Sequence, residues 1–185
     1  MNPAQHYAQR IAGSSWKSIL TCVTVIALLA PGASLVADSN VGLATSGTRT
    51  LAANDTYYWR LLATDSVGNT TTSNNWMLRV DTTTPAAAAP TAPVNTAETR
   101  ATTIGFTWTA ASDSISGLAS HRLQIDTALT FASPIWDSNV GVATAVETTL
   151  AGNLTYYWRV LATDSAGNQT ISTSRSFTID TLATV

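Results

Sequence analysis

The stretch "TYYWRVLATDSAGN", residues 155–168, decides the fold, because it occurs a second time as "TYYWRLLATDSVGN" at residues 56–69, 99 residues earlier. Tyr156, Trp158, Val160 and Ala162 fall at every second position, with Tyr157 and Arg159 between them. That period is the mark of a half-buried strand, since successive side chains of an extended chain point to opposite faces of a sheet. "DSAGN" then ends the strand: Asp bonds its own backbone two residues on, and a following Gly takes the positive φ that the turn needs. One face of the phrase is therefore core. Tyr157 and Arg159, with Tyr58 and Arg60 in the first copy, are what remains for recognition.

Working outward, a shift of 99 residues lays 38–82 over 137–181 without a gap, "DSNVG" on "DSNVG" included. Upstream of its repeat the second copy carries more strands. "TTIGFTWTA" (102–110) alternates Ile104, Phe106 and Trp108 with Thr103, Gly105, Thr107 and Thr109. "SHRLQID" (120–126) turns His121, Leu123 and Ile125 inward, and "SFTID" (176–180) does the same with Phe177 and Ile179. Turn signals "SDSISG", "DSNVG", "AGN" and "DSAGN" separate them. After Ala37 no segment keeps a helical apolar period. Several short strands at this spacing predict an all-β fold, a two-sheet antiparallel sandwich. It is complete over 96–181, and only its second half is present over 38–81. Residues 82–95, rich in Pro, Ala and Thr, read as a semi-extended linker, and 182–185 as the start of another linker or a tail.

Residues 1–37 have a different character. Arg10 and Lys17 precede the apolar run "ILTCVTVIALLA" (19–30), followed by Pro31, Gly32 and small residues to Ala37. A basic region, an apolar core of about a dozen residues and a small-residue end describe a secretory signal peptide. The run is short for a membrane-spanning helix, which takes roughly 20 apolar residues. The alternative is a hydrophobic segment kept in the fold as a strand. Cys22, the single cysteine, lies inside the run rather than after it, which speaks against lipidation and leaves the remainder without disulfides.

The chain has 185 residues, 45% hydrophobic and only 11% charged, with a net charge of −2. This is enough apolar material for a core and far too little positive charge for a nucleic-acid or polybasic membrane surface. Any membrane contact falls to the N-terminal segment, if it is retained.

In these residues the chain resembles the fibronectin type III family, in the form found in tandem arrays on bacterial surface and secreted proteins. Trp108 matches the strand-B tryptophan, and "SGLASHRLQID" looks like the strand-C phrase with His121 in place of the usual tyrosine. Leu150, Tyr156, Trp158, Val160, Ala162 and Gly167 follow the family's leucine, corner tyrosine, strand F and terminal glycine. The resemblance implies that the Tyr156 hydroxyl ties the connection before its strand, and that Tyr57 and Trp59 repeat the signature. It also implies strands A to C ahead of residue 38, and no such sequence is found there. Three accounts fit: a truncated gene product, substitution of the missing strand by 19–30, or a strand donated by another protomer.

Catalytic chemistry finds no purchase. A triad needs a base within reach of a nucleophile, and the histidines are His6, in the N-terminal segment, and inward-facing His121. Asp113, Asp137 and Asp164, with Asp38 and Asp65 in the first copy, each stand alone in a loop, which suits Asx turns better than a metal loop. No catalytic, cofactor or metal residue is therefore assigned. Asn54, Asn69, Asn153 and Asn168 head N-x-Thr sequons, a consequence of abundant Thr and of the duplication. Trp136, Tyr157 and Trp76 are the aromatics that inward parity does not explain. The expectation is a non-enzymatic secreted or cell-surface repeat protein acting as spacer, adhesion or interaction module toward other proteins or extracellular polysaccharide. Two alternatives stand beside it. One is a polysaccharide-binding accessory module of a secreted enzyme, the other a self-associating filament subunit completed by a donated strand.

Overall fold

In the computed structural model, described for residues 20–29, 35–40, 42, 44, 48 and 50–182, the chain is all-β. The strands are β1 Leu20–Leu29, β2 Leu35–Asn40, β3 Asp55–Asp65, β4 Thr70–Thr72, β5 Trp76–Val80, β6 Ala89–Ala92 and β7 Ala97–Thr99. They continue as β8 Thr103–Thr109, β9 Leu118–Asp126, β10 Trp136–Gly141, β11 Ala145–Thr149, β12 Leu154–Asp164, β13 Gln169–Ile171 and β14 Arg175–Ile179. Contacts divide the chain into two units, Met1–Val80 and Asp81–Val185.

The second unit is a sandwich. Its larger sheet runs β10-β9-β12-β14-β7, with β13 also on β12, and its smaller sheet runs β11-β8-β6. Pairing is antiparallel except between β14 and β7. In β12, "LTYYWRVLATD", every second residue from Tyr156 to Asp164 is buried, and β8 alternates in the same way through Ile104, Phe106 and Trp108. The two inner faces meet at Phe106, edge-on to Trp158 at 5.2 Å and to Phe177 at 5.7 Å, while Tyr156 stacks on Phe177. Edge-to-face rings of this kind add about 1 kcal/mol each beyond the area they bury. Leu150 packs on the rim of this cluster.

Part of the stretch expected to be linker is strand. β6 pairs with β8 through Ala89, Pro90 and Ala92, which the prolines permit because β6 lies at the edge of its sheet, where one side of the strand has no partner to donate to. Ala88 and Pro90 are buried.

The first unit holds one sheet among the described residues, β2-β1-β3-β4 with β5 on β3. Its register copies the larger sheet of the second unit. Cys22↔Thr64, Thr24↔Leu62 and Leu28↔Tyr58 in β1–β3 stand where Ser120↔Thr163, Arg122↔Leu161 and Asp126↔Tyr157 stand in β9–β12. Both ladders break register at the same end, next to Leu20↔Asp65 and Leu118↔Asp164. The run expected as a signal-peptide core or a substitute strand is thus a strand in the position of β9, and residues 35–37, the end of the expected signal peptide, lie in β2. Residues 1–19, with Arg10, Lys17 and His6, and 183–185 fall outside the described residues. No second sheet of described residues faces β3 and β5. Where Phe177 is 1% exposed, its repeat partner Leu78 is 46% exposed, and the even alternation of β12 is lost in β3.

Candidate functional site

The outer face of the larger sheet collects the polar side chains singled out in the sequence. Arg122, outward on β9, makes a two-pronged salt bridge to Asp137 on β10, through Nε to Oδ1 and through Nη2 to Oδ2 at 2.7 Å. Gln124 donates to the same Oδ2 at 3.2 Å, and Arg159 Nε donates to Gln124 Oε1 at 2.8 Å. The pair holds Asp137 below the usual carboxylate range, first through the Arg122 hydrogen bond, and raises Arg122. The Arg159 guanidinium lies over the ring of Phe131, 4.1 Å from its centroid, rather than over Tyr157. Phe131 was not legible in the sequence: it sits in a loop, is 6% exposed, and holds φ at +51°, a conformation costly for a bulky residue.

Trp136 is only half-buried, yet it packs against the core, and its Nε1 is buried without a hydrogen-bond partner. Tyr157, outward on β12, is half-buried, and Tyr58 and Arg60 are half-buried in the first unit, with Arg60 Nε also unpaired. Trp76 is exposed and stacks with Trp59 at 6.0 Å. The described residues therefore form no open row of aromatic faces on the second unit. Trp108, Tyr156 and Trp158 are core, and Tyr156 donates from its hydroxyl to Ala151 O at 2.9 Å, a tie repeated by Tyr57 to Ala52 O at 3.1 Å.

At one end of the sandwich the turn carboxylates converge. Asp113 Oδ1 accepts from the N–H groups of Ile115, Ser116 and Gly117, which hold its carboxyl below the ordinary range, Gly117 foremost. Asp164 Oδ1 accepts from Ala166 and Asn168, and Gly167 takes φ +95°. The first copy repeats this turn: Asp65 accepts from Val67 and Asn69, Gly68 takes φ +92°, and the Asn69 amide leads the depression of its carboxyl. Each loop holds a single carboxylate in sequence, but folding brings an oxygen of Asp81, Asp113 and Asp164 within 4.8 Å of one another. These three could offer a cation one oxygen each. Asp81 and Asp164 already accept N–H donors on both oxygens, Asp81 from Thr83 and Ser116. The cluster thereby ties the segment after residue 80 to the body of the sandwich. Asn168 Nδ2 donates to Asp81 O, Thr170 Oγ1 to Pro85 O, and Ala86 N to Ser112 O.

His121 is fully buried, edge-on to Trp108. Its Nε2 accepts from Ala111 N at 3.1 Å, so the ring proton sits on Nδ1 and is donated to Ala143 O at 2.9 Å. Both of its nitrogens are thus committed to backbone partners.

No protein-family model matches the chain. Over 140 residues it is 34% identical to Chitinase A1 of Niallia circulans, a match that covers 70% of this chain and 19% of that relative. In fold it is similar to the fibronectin(III)-like modules of Clostridium thermocellum CbhA, with a TM-score of 0.51 and 19% identity over 90% of this chain and 81% of that one. The FN1–FN3 domains of chicken CNTN1 give a TM-score of 0.50 and 15% identity over 85% of this chain and 56% of theirs. The fold is fibronectin III-like.

Proposed function

We propose that the chain is a non-catalytic, secreted spacer region, one that accompanies the working parts of an extracellular polysaccharide-acting protein. The observation that carries the reading is the docking of residues 81–86. A free linker would leave its polar groups to water, whereas here Asp81, Pro85 and Ala86 are bonded to two loops and to β13 of the following sandwich. A linker fixed in this way transmits spacing instead of absorbing it. The similarity to Chitinase A1 supports an accessory place beside an enzyme that acts on a polysaccharide. Direct sugar contact through Trp136 has little support, because that ring packs into the core. The test is 15N relaxation on the amides of Thr82, Thr83, Thr84, Ala86 and Ala87. They should show order parameters near the rigid-backbone value of about 0.85 and fall below about 0.6 when Asp81→Ala and Asn168→Ala are combined. Flexible values in the unmodified chain would refute the spacer reading.

Self-association with a second copy is a second reading, favoured by the exposed Trp76, Met77 and Leu78 of β5. Apolar side chains open to solvent on a sheet are an invitation to another chain. Light scattering across a concentration series should give mass increasing with concentration, reduced by Leu78→Asp. A monomer at all concentrations would reject it.

A further inference from the structure

We propose that His121 is an acid-sensitive latch, whose protonation breaks the hold on Ala111 and frees loop 110–117 together with the linker residues bonded to it. The geometry is specific. With the ring neutral, Nε2 is an acceptor for the Ala111 N–H and Nδ1 a donor to Ala143 O, so one imidazole fastens two loops that are 32 residues apart in sequence. A second proton has only Nε2 to occupy. There it would point at the Ala111 N–H from 3.1 Å, two donors head to head, and the ring or the loop must move. Ring and amide are both buried, so water does not stand in for the lost acceptor without an opening of the loop.

The surroundings give the charged ring little help. From β12, the cross-strand partner of His121 is Ala162, with Asp164 two residues on along the same face. From loop 110–117 the titratable group is Asp113, and from the linker it is Asp81. β8 presents the Trp108 ring, and β10 pairs through Gly141. Arg122, next along β9, points to the opposite face and is held by Asp137. The hydrogen bonds of the three carboxylates go to loop amides and not to the imidazole. Burial accordingly pushes the basicity of His121 down, against a smaller opposite effect of the Ala143 carbonyl.

Release of the loop reaches the linker through two bonds, Ser116 N to Asp81 Oδ2 and Ala86 N to Ser112 O. This last step rests on the spacer reading above; the latch itself does not. Sign and window follow from linkage. The folded-state pKa lies below the unfolded value of about 6.5, so the open state binds the extra proton, and the closed state is fully favoured above that pH. Below it, the closed state loses about tenfold per pH unit for one proton.

The experiment is amide hydrogen exchange of Ala111 in the full chain between pH 7 and pH 4.5, corrected for intrinsic exchange, beside His121→Gln, which can still accept from Ala111 and donate to Ala143. Expected are an opening constant for Ala111 that rises by about tenfold per pH unit below about 6.5, and a flat response in the Gln variant. Protection of Ala111 that stays constant to pH 4.5, or an equal slope in the Gln variant, overturns the latch. Should the variant not fold, the wild-type Ala111 profile measured with the His121 ring titration decides alone: the two must move together. Linker amides followed in the same samples separate the two readings. Ala111 opening with Thr82–Ala86 still rigid (residues 82–86) overturns the coupling to the linker, and linker amides already mobile at pH 7 overturn the spacer reading while Ala111 still judges the latch.

Discussion

At the scale of single residues, parity in the sequence sorted the repeated phrase into two roles. Tyr156 and Trp158 are core, and Tyr157 and Arg159 face outward, because a strand offers no other arrangement. The inward turn of His121 was legible in the same way, but its partners Ala111 and Ala143 were not, since those bonds are made by loops whose paths no local pattern specifies. Phe131 escaped notice for a related reason: nothing in "TALTFASP" announces a positive φ, and only the fold places the ring under Arg159. Trp136 offers a direct check on its role. Its buried indole N–H has no partner, which costs about 1–3 kcal/mol that a phenyl ring would not. Trp136→Phe should therefore leave stability unchanged or raise it slightly, whereas Trp136→Ala should lower it by about 3 kcal/mol through lost packing. Urea unfolding midpoints distinguish these outcomes. A large loss in the Phe variant would mean that the indole nitrogen is in use.

At the scale of elements, the long alternating strands β8, β9, β12 and β14 could be read from sequence, and the short ones could not. β4, β7 and β13 have three residues each, too few for a period to show. β6 was hidden by prolines that read as linker, and it is tolerated only because it forms an edge. The carboxylate turns were legible one by one. Their convergence at Asp81, Asp113 and Asp164 was not, since it joins positions 32, 51 and 83 residues apart. These turns predict a second acid response, distinct from that of His121. Asp65, Asp113 and Asp137 are held below their ordinary values in the folded chain. The unfolded chain then binds more protons as pH falls through about 4, so this stabilisation is complete above that value and lost below it. Urea midpoints should be flat in this respect from pH 6 to pH 5 in His121→Gln and drop between pH 4 and pH 2.5. A midpoint unchanged down to pH 2.5 would show that the turns are not held by ionised carboxylates. The Arg122–Asp137 pair contributes little of this, because both side chains are open to solvent, which screens the attraction.

At the scale of the molecule, one phrase builds the same sheet twice with unequal results. In the second unit the sheet is closed by β11-β8-β6, and the inward residues of the phrase, Tyr156, Trp158, Val160 and Ala162, are buried. In the first, β1 and β2 restore the neighbours of β3 in matching register, while β5 keeps Trp76, Met77 and Leu78 exposed. The duplication itself was plain in the sequence, whereas the residues before 38 show no sign of strands A to C in their sequence, and β1 nonetheless occupies the place of β9. That an apolar run resembling a leader could pair in the register of β9 was only one of several readings, because backbone pairing leaves no sequence signature of its own. The central claim is that the phrase is a fold signature, sealed in one copy and open in the other. Residue-resolved hydrogen exchange of the full chain at pH 7 tests it most directly. The amides of Trp158, Val160 and Ala162 should exchange about a hundredfold or more slowly than those of Trp59, Leu61 and Ala63, the ratio given by a deficit of about 3 kcal/mol in opening free energy. Equal protection in the two copies would contradict the account.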